Sequence, residues 1–239
     1  MTALLTVREL ERTLGNHGFT LDVASLDLAA GDRVAVVGPS GSGKSTLLGL
    51  LALALAPDRS ARFVVWPPGS GPIDIAALWH QRRREALARL RARLIGFVPQ
   101  TGGLLPFLSI AANIALPLSI LGTDGGVAAA ALAAALGIGH LLARRPHEIS
   151  VGERQRAAVA RALIAGPALL LADEPTAALH PSQAEAAMSL LVIAAAETRA
   201  ALLVATHDEP LAHAAGLSIV RLVPDAGGEA RSHLAWKGA

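Results

Sequence analysis

Cysteine and tyrosine are both missing from this chain of 239 residues. Without cysteine there is no disulfide framework and no thiolate metal site, and the chain suits a reducing compartment. Aromatic residues make up only 3%, against 52% apolar residues drawn largely from alanine and leucine. Charge of one sign is also scarce: the net charge is +2, too small to imply a nucleic-acid partner. A secretory leader is not expected either, because Arg8 and Glu9 arrive before an apolar segment of useful length can form. A long hydrophobic run is nearly present at residues 104–122, but Pro106, Asn113 and Pro117 interrupt it and no clean helical period runs through it. That argues against a spanning helix. A soluble protein with such a stretch buries it or offers it to a partner.

What is present begins with Gly38, Pro39, Ser40, Gly41, Ser42, Gly43, Lys44, Ser45 and Thr46. These fit G-x-x-x-x-G-K-[ST], a pattern that arises by chance in roughly 1% of chains this long at average residue usage. Context strengthens it. Residues 33–37 are a short apolar run rich in β-branched side chains, which reads as a buried strand, and the leucine-rich residues 44–55 read as a buried helix. Glycines let the backbone turn its N–H groups toward phosphates, and the helix N-terminus adds partial positive charge. Lys44 would reach the β- and γ-phosphates, and the Ser45 hydroxyl would ligate Mg²⁺. Nucleotide binding is therefore the first functional expectation.

Alternation at residues 2–10 and 19–28 predicts two antiparallel strands joined through Gly15-Asn16-His17-Gly18. Further strands are expected at 62–66, 94–98, 168–172, 201–205 and 217–223, and helices at 78–92, 127–136, 151–164 and 181–198. Residues 81–93 hold six arginines; with Leu87, Leu90 and Leu94 at helical spacing they read as the solvated face of an amphipathic helix. From residue 101 to about 145 the chain is alanine-rich, helical and short of strands. The glycine-containing end, 226–239, reads as frayed or weakly paired. Strands alternating with helices around a phosphate loop give an α/β fold with a mostly parallel sheet. An antiparallel β subdomain precedes it, and a helical lobe over 101–164 is inserted between core segments 1–100 and 165–239.

Four polar residues, at the ends of three buried strands, face the same end of such a sheet, where ligands bind. Asp173 and Glu174 come after residues 169–172, Gln100 follows 94–99, and His207 follows 201–206. One acid there can hold Mg²⁺ and its neighbour can activate a water at the γ-phosphate. The plain alternatives, a helix N-cap for the acids and a structural histidine, weigh less beside a phosphate loop.

With these residues in place the chain resembles the ATP-binding subunits of ABC transporters, over nearly its whole length and with the motifs in family order. The resemblance makes Gln100 the Q-loop glutamine, Asp173 the Mg²⁺ aspartate, Glu174 the catalytic glutamate and His207 the switch histidine. It makes Ile149-Ser150-Val151-Gly152-Glu153 the signature, with Ser150 and the Gly152 N–H as γ-phosphate donors to a second domain. It implies the P-loop NTPase (RecA-like) fold, ATP hydrolysis with Mg²⁺ beside Ser45, Gln100 and Asp173, and a head-to-tail homodimer or heterodimer of ATPase domains. It also implies transmembrane permease subunits as partners and a peripheral place on the cytoplasmic face of the inner (plasma) membrane. Residues 88–121 further resemble the branch handling lipoprotein release, macrolide export and cell division. A regulatory or mechanotransmitting subunit that moves a membrane partner without carrying substrate across is the alternative. A soluble relative acting in DNA repair or translation would carry long coiled-coil insertions or two fused domains, and this chain has neither.

Three positions depart from the family pattern. Val151 replaces a signature glycine, so ordinary backbone angles are expected there. His180 stands where an aspartate is usual, and Leu14 stands where an aromatic residue stacks on adenine, leaving Phe19 or His17 to substitute. An active but slow ATPase is the expectation.

Overall fold

The computed structural model describes residues 3–15, 18–177, 179–225 and 231–236. Its centre is a five-stranded sheet of β3 (Arg33–Val37), β6 (Ile95–Val98), β7 (Leu169–Asp173), β8 (Ala201–Thr206) and β9 (Ser218–Arg221), in the order β6-β7-β8-β3-β9. All its pairs are parallel. These strands are short and almost wholly apolar because both faces are covered, the condition that parallel sheets require. Alternation divides their side chains. Val34, Val36, Leu169, Leu171 and Leu203 join one core with the leucines of α1 (Lys44–Leu51). Ala35, Val37, Leu170, Leu202 and Val204 join a second core with α6 (Val151–Leu163) and α7 (Pro181–Thr198).

Helix α1 is covered on its far side by a second, six-stranded sheet. Its members are β1 (Ala3–Leu14), β2 (Phe19–Ala29), β4 (Arg62–Val65), β5 (Ile73–Asp74), β10 (Val223–Pro224) and β11 (Arg231–Trp236), ordered β10-β11-β2-β1-β4-β5. Strands β1 and β2 pair antiparallel, as their alternation predicts, from Ala3↔Ala29 to Leu14↔Phe19, so that β1 runs four residues past its expected end at residue 10. Their inward residues, Leu5, Leu10, Leu21 and Leu26, are fully buried against α1. A third apolar cluster lies where α4 (Ile110–Ile120) and α5 (Gly126–Ala135) pack on α6, through Ile110, Ile114, Ala129, Ala133 and Ala157. Asn113 at its centre is completely buried and satisfied. It accepts from Leu105 N at 2.7 Å and donates to the carbonyls of Leu105, Leu108 and Ser109 at 3.0–3.2 Å.

Four elements differ from the expectation. The arginine-rich helix is two helices, α2 (Ile75–His80) and α3 (Arg84–Leu94), because Arg82 between them takes a left-handed φ of 54°. Helix α1 stops at Leu51 rather than residue 55, since Leu53 adopts φ 55°. The C-terminal end is not frayed over 231–236: β11 pairs parallel with β2 and buries Ser232 and Leu234. Residues 226–230 and 237–239 lie outside the described residues. A short helix, α8 (Glu209–Ala214), capped by the Asp208 side chain accepting from Leu211 N at 2.9 Å, was not anticipated.

Candidate functional site

The strand order puts β6, β7, β8 and β3 side by side, so the segments leaving their carboxyl ends converge on one edge of the sheet. The phosphate loop leaves β3, Gln100 follows β6, Asp173 ends β7 and His207 follows β8. Ser40, Gly41, Gly43, Lys44, Ser45, Thr46, Gln100, Glu174 and His207 line a single open cleft of about 610 Å³, whose apolar end is Leu14 and Phe19. Gly38, Pro39 and Ser42 complete the loop from behind. Gly43 is the N-cap of α1 with φ 94°, and a Cβ added there would lie 2.8 Å from Phe19 Cζ. Glycine is thus needed twice at this position, for its conformation and for space.

Lys44 is 6% exposed, and its Nζ donates to the carbonyls of Gly38 at 2.8 Å and Pro39 at 3.0 Å. It also lies 3.3 Å from Glu174 Oε1. Glu174 is therefore a nearly buried carboxylate with a cation on one oxygen. Its other oxygen, Oε2, is 2.9 Å from His207 Nδ1 and accepts from His207 N at 3.4 Å. The Glu174 backbone is left-handed, φ 43°, with its N–H held by the Ala205 carbonyl at 2.8 Å. A non-glycine residue in that region stores strain that the surrounding contacts must hold. Here they aim the carboxylate over the phosphate loop rather than along the strand.

Ser45 Oγ donates to Asp173 Oδ1 at 3.1 Å. Burial pushes the Asp173 carboxyl above its usual range, the neighbouring Glu174 adds to this, and Ser45 and Lys44 oppose it. A desolvated carboxylate beside a hydroxyl gains from a bound cation. The donor set is all hard oxygen, Ser45 and Asp173 together with the Gln100 amide oxygen that lines the same cleft, which fits Mg²⁺ completed by nucleotide phosphates and water. Among the described residues no cluster of three or more His, Cys, Asp or Glu is arranged to hold a metal on its own.

The cleft does not include the residues at the start of α6. Ser150 is the N-cap there, and it forms a capping box with Glu153: Ser150 Oγ accepts from Glu153 N at 3.3 Å, and Ser150 N donates to Glu153 Oε2 at 2.8 Å. Those bonds to Ser150 hold the Glu153 carboxyl below its usual range. Ser150, Gly152 and Glu153 instead line a separate groove with Gly137, Gln183 and Ser189. Val151 is the first helical residue, 43% exposed, with no left-handed angle, as expected for a β-branched side chain. His180 is the N-cap residue of α7 but its side chain bonds none of the helix's backbone N–H groups; its Nδ1 is instead 3.3 Å from the Ser182 hydroxyl in the first turn. At the apolar end of the cleft Phe19 faces Leu14 across the β1–β2 pair. His17 lies outside the described residues. Sequence reasoning missed two contacts of the site: Lys44's pairing with Glu174, and the bond from Gln155 Nε2 to the Pro175 carbonyl that ties α6 to the acidic segment. Neither partner is close in the chain, so no spacing could have announced them.

The description "ABC transporter" belongs to the family model that matches residues 21–177, well over half of the chain. The chain belongs to the ABC transporter family. It is an ABC ATPase, the ATP-hydrolysing subunit of a bacterial transporter, with the P-loop α/β fold expected of one. It is similar to the lipoprotein-releasing system ATP-binding protein LolD of Pseudomonas fluorescens, 39% identical over 216 residues, covering 88% of this chain and 91% of that one. The protein of the same name from Myxococcus xanthus is 37% identical over 233 residues, 95% and 98% of the two chains. Among solved structures it is similar to a dimeric ATP-binding cassette in a post-hydrolysis state bound to ADP and Pi, with TM-score 0.75, 28% identity and 96% of each chain covered. A dimeric bacterial ABC transporter cassette matches with TM-score 0.73 and 29% identity, over 91% of this chain and 94% of that one. No helix among the described residues of this ABC ATPase is long and apolar enough to cross a membrane.

Proposed function

We propose that this ABC ATPase drives a lipoprotein-releasing type of transporter, using ATP to move membrane partner subunits from the cytoplasmic face of the inner membrane. Likeness to the LolD proteins over almost the full length of both chains supports the substrate class. The observation that carries the mechanism is the division of the machinery. The phosphate loop, Gln100, Asp173, Glu174 and His207 meet in one cleft, while Ser150, Gly152 and Glu153 face a different groove. A single chain is then half a site, and a second ATPase domain packed head to tail supplies the missing half.

In the assembled site the N–H groups of residues 40–46 and the α1 N-terminus hold the phosphates of ATP. Lys44 exchanges Glu174 and its loop carbonyls for β- and γ-phosphate oxygens. Ser45, Asp173 and Gln100 would hold Mg²⁺, which when bound offsets charge on those oxygens. Glu174, released from Lys44, accepts a proton from the attacking water as its oxygen bonds to the γ-phosphorus; the bond from that phosphorus to the β–γ bridging oxygen breaks, and ADP leaves. His207 keeps Glu174 Oε2 in register. Ser150 and the Gly152 N–H of the partner domain close over the γ-phosphate. Phe19 and Leu14 form the apolar end of the cleft, against which the base lies.

We further assign residues 101–164 as the lobe that conveys closure to the membrane subunits. Its exposed Phe107 and Ile120, 68% and 69% accessible, together with an apolar groove beside Leu116 and Pro117, suit a partner seat. The decisive experiment is hydrolysis by wild type and Glu174→Gln with sedimentation in Mg·ATP. The variant is expected to lose roughly 10²–10⁴-fold in turnover and to accumulate as an ATP-bound dimer. A monomeric variant that still hydrolyses ATP would overturn both the base and the two-domain site.

A further inference from the structure

We infer that Arg161 is a positioning residue for Gln100, clamping the loop that carries Gln100 to helix α6, so that this loop and the Ser150 end of the helix move as one piece. Its guanidinium spans two successive carbonyls: Nη1 donates to Gly103 O at 2.6 Å and Nη2 to Gly102 O at 2.9 Å. A rigid two-pronged donor fixes a main-chain segment far better than a lysine could. The loop is fitted to it. Gly102 N closes a turn on Pro99 O at 2.8 Å, and both Gly102 and Gly103 are left-handed, φ 72° and 60°. A Cβ on Gly103 would lie 2.6 Å from Pro99 Cγ and 3.2 Å from Arg161 Nη2.

Two further observations separate this clamp from ordinary surface packing. Arg161 is half-buried and, among the described residues, pairs with no carboxylate. Burial accordingly lowers its pKa. A guanidinium set among neutral groups with only carbonyls to satisfy it is a costly arrangement, and its product here is loop geometry rather than charge neutralisation. Gln100 itself is exposed and makes no hydrogen bond among the described residues. Its place over the cleft therefore depends on the main chain of 99–103, and that chain is anchored by the turn and by Arg161. Along α6, Arg161 stands eleven residues from the Ser150 cap, about 16 Å of helix. The helix is a rigid rod between the groove that meets a second domain and the loop that carries Gln100.

The inference rests on the role given to Gln100 above, so the test reads the clamp and that role separately. Hydrogen exchange of the full chain follows the Gly102 amide, with the Leu105 amide, held by Asn113, as the internal control. Turnover and KM for Mg·ATP are measured for wild type, Arg161→Lys, Arg161→Met, Gln100→Ala and the Arg161→Met/Gln100→Ala double variant. Arg161→Met is expected to raise exchange at Gly102 about tenfold with Leu105 unchanged. It should lower kcat about tenfold with KM within twofold, Arg161→Lys should recover part of the loss, and the double variant should be no slower than Gln100→Ala. Unchanged exchange at Gly102, or exchange that rises throughout the helical lobe, would overturn the clamp. A double variant slowed by the product of the two single losses would overturn the link to Gln100. If Gln100→Ala alone leaves turnover unchanged, the role of Gln100 is what fails, and exchange at Gly102 still decides whether Arg161 anchors the loop. Should Arg161→Met not fold, Arg161→Lys carries the same readouts.

Discussion

Gly43→Ala tests how the phosphate loop and the base-side wall depend on one another. The added Cβ meets two obstacles. The first is conformational: φ 94° costs an L-residue roughly 1–2 kcal/mol. The second is the Phe19 ring, whose Cζ and Cε1 lie 2.8 and 2.9 Å from the new atom. Phe19 is half-buried and can swing away, so the collision adds about 1 kcal/mol, the low end of overpacking. Reduced freedom of the unfolded chain returns about 0.4–1 kcal/mol, leaving a net loss near 2 kcal/mol. For a domain of this size that lowers the melting temperature by about 4–8 °C. The ring swings into the cleft, so KM for ATP should rise as well. The informative measurement is a double-mutant cycle with Phe19→Ala by thermal or denaturant unfolding. Only the collision is relieved when the ring is removed, so the double variant should be about 1 kcal/mol less damaged than the sum of the singles. Additivity within about 0.3–0.5 kcal/mol, the usual value for uncoupled sites, would refute the contact.

Asp173→Asn should stabilise the nucleotide-free protein while disabling it. Because burial raises this carboxyl, the native state holds a proton that the unfolded chain has released between the ordinary carboxylate pKa and the raised one. Stability therefore falls as pH rises through that window and stays lower at neutral pH. Melts in EDTA should show the variant gaining at pH 7 but little below pH 4, with Mg·ATP turnover down at least roughly 100-fold. A variant less stable than wild type at pH 7 contradicts the reasoning. Asn113→Leu should strand the Leu105 N–H and the Leu108 carbonyl inside the lobe, while the Leu105 and Ser109 carbonyls keep the backbone N–H groups of Leu108 and residue 113. A loss of roughly 2–4 kcal/mol is expected, read as a lower melting temperature and faster proteolysis within residues 104–109.

Much of the site was legible because its parts are local. The phosphate loop needs its glycines, lysine and hydroxyl at fixed spacing, and Asp173, Glu174, Gln100 and His207 each follow a strand whose apolar run marks it. The antiparallel pair expected at 2–10 and 19–28 and the helix Pro181–Thr198 were equally legible from alternation and from a proline at the first turn, although the first strand runs on to Leu14. What misled was local too. The arginine stretch carries leucines at helical spacing, and nothing in that spacing shows that Arg82 turns left-handed and breaks the helix. Residues 231–236 look like a tail because their strand partner, β2, lies some two hundred residues earlier.

By itself, then, the amino-acid sequence determined most of the strands and helices, which residues could hold phosphate and metal, and the family to which they belong. Those properties follow from spacing along a chain, a short-range matter. Only the tertiary structure decided that Glu174 bridges Lys44 and His207, that Gly43 must make room for Phe19, and that Arg161 holds the loop beyond Gln100. Each of these joins residues brought together by the order β6-β7-β8-β3-β9 or by the packing of α6 and β2 on that sheet. Strand order is set by long-range burial and pairing, and no local spacing encodes it.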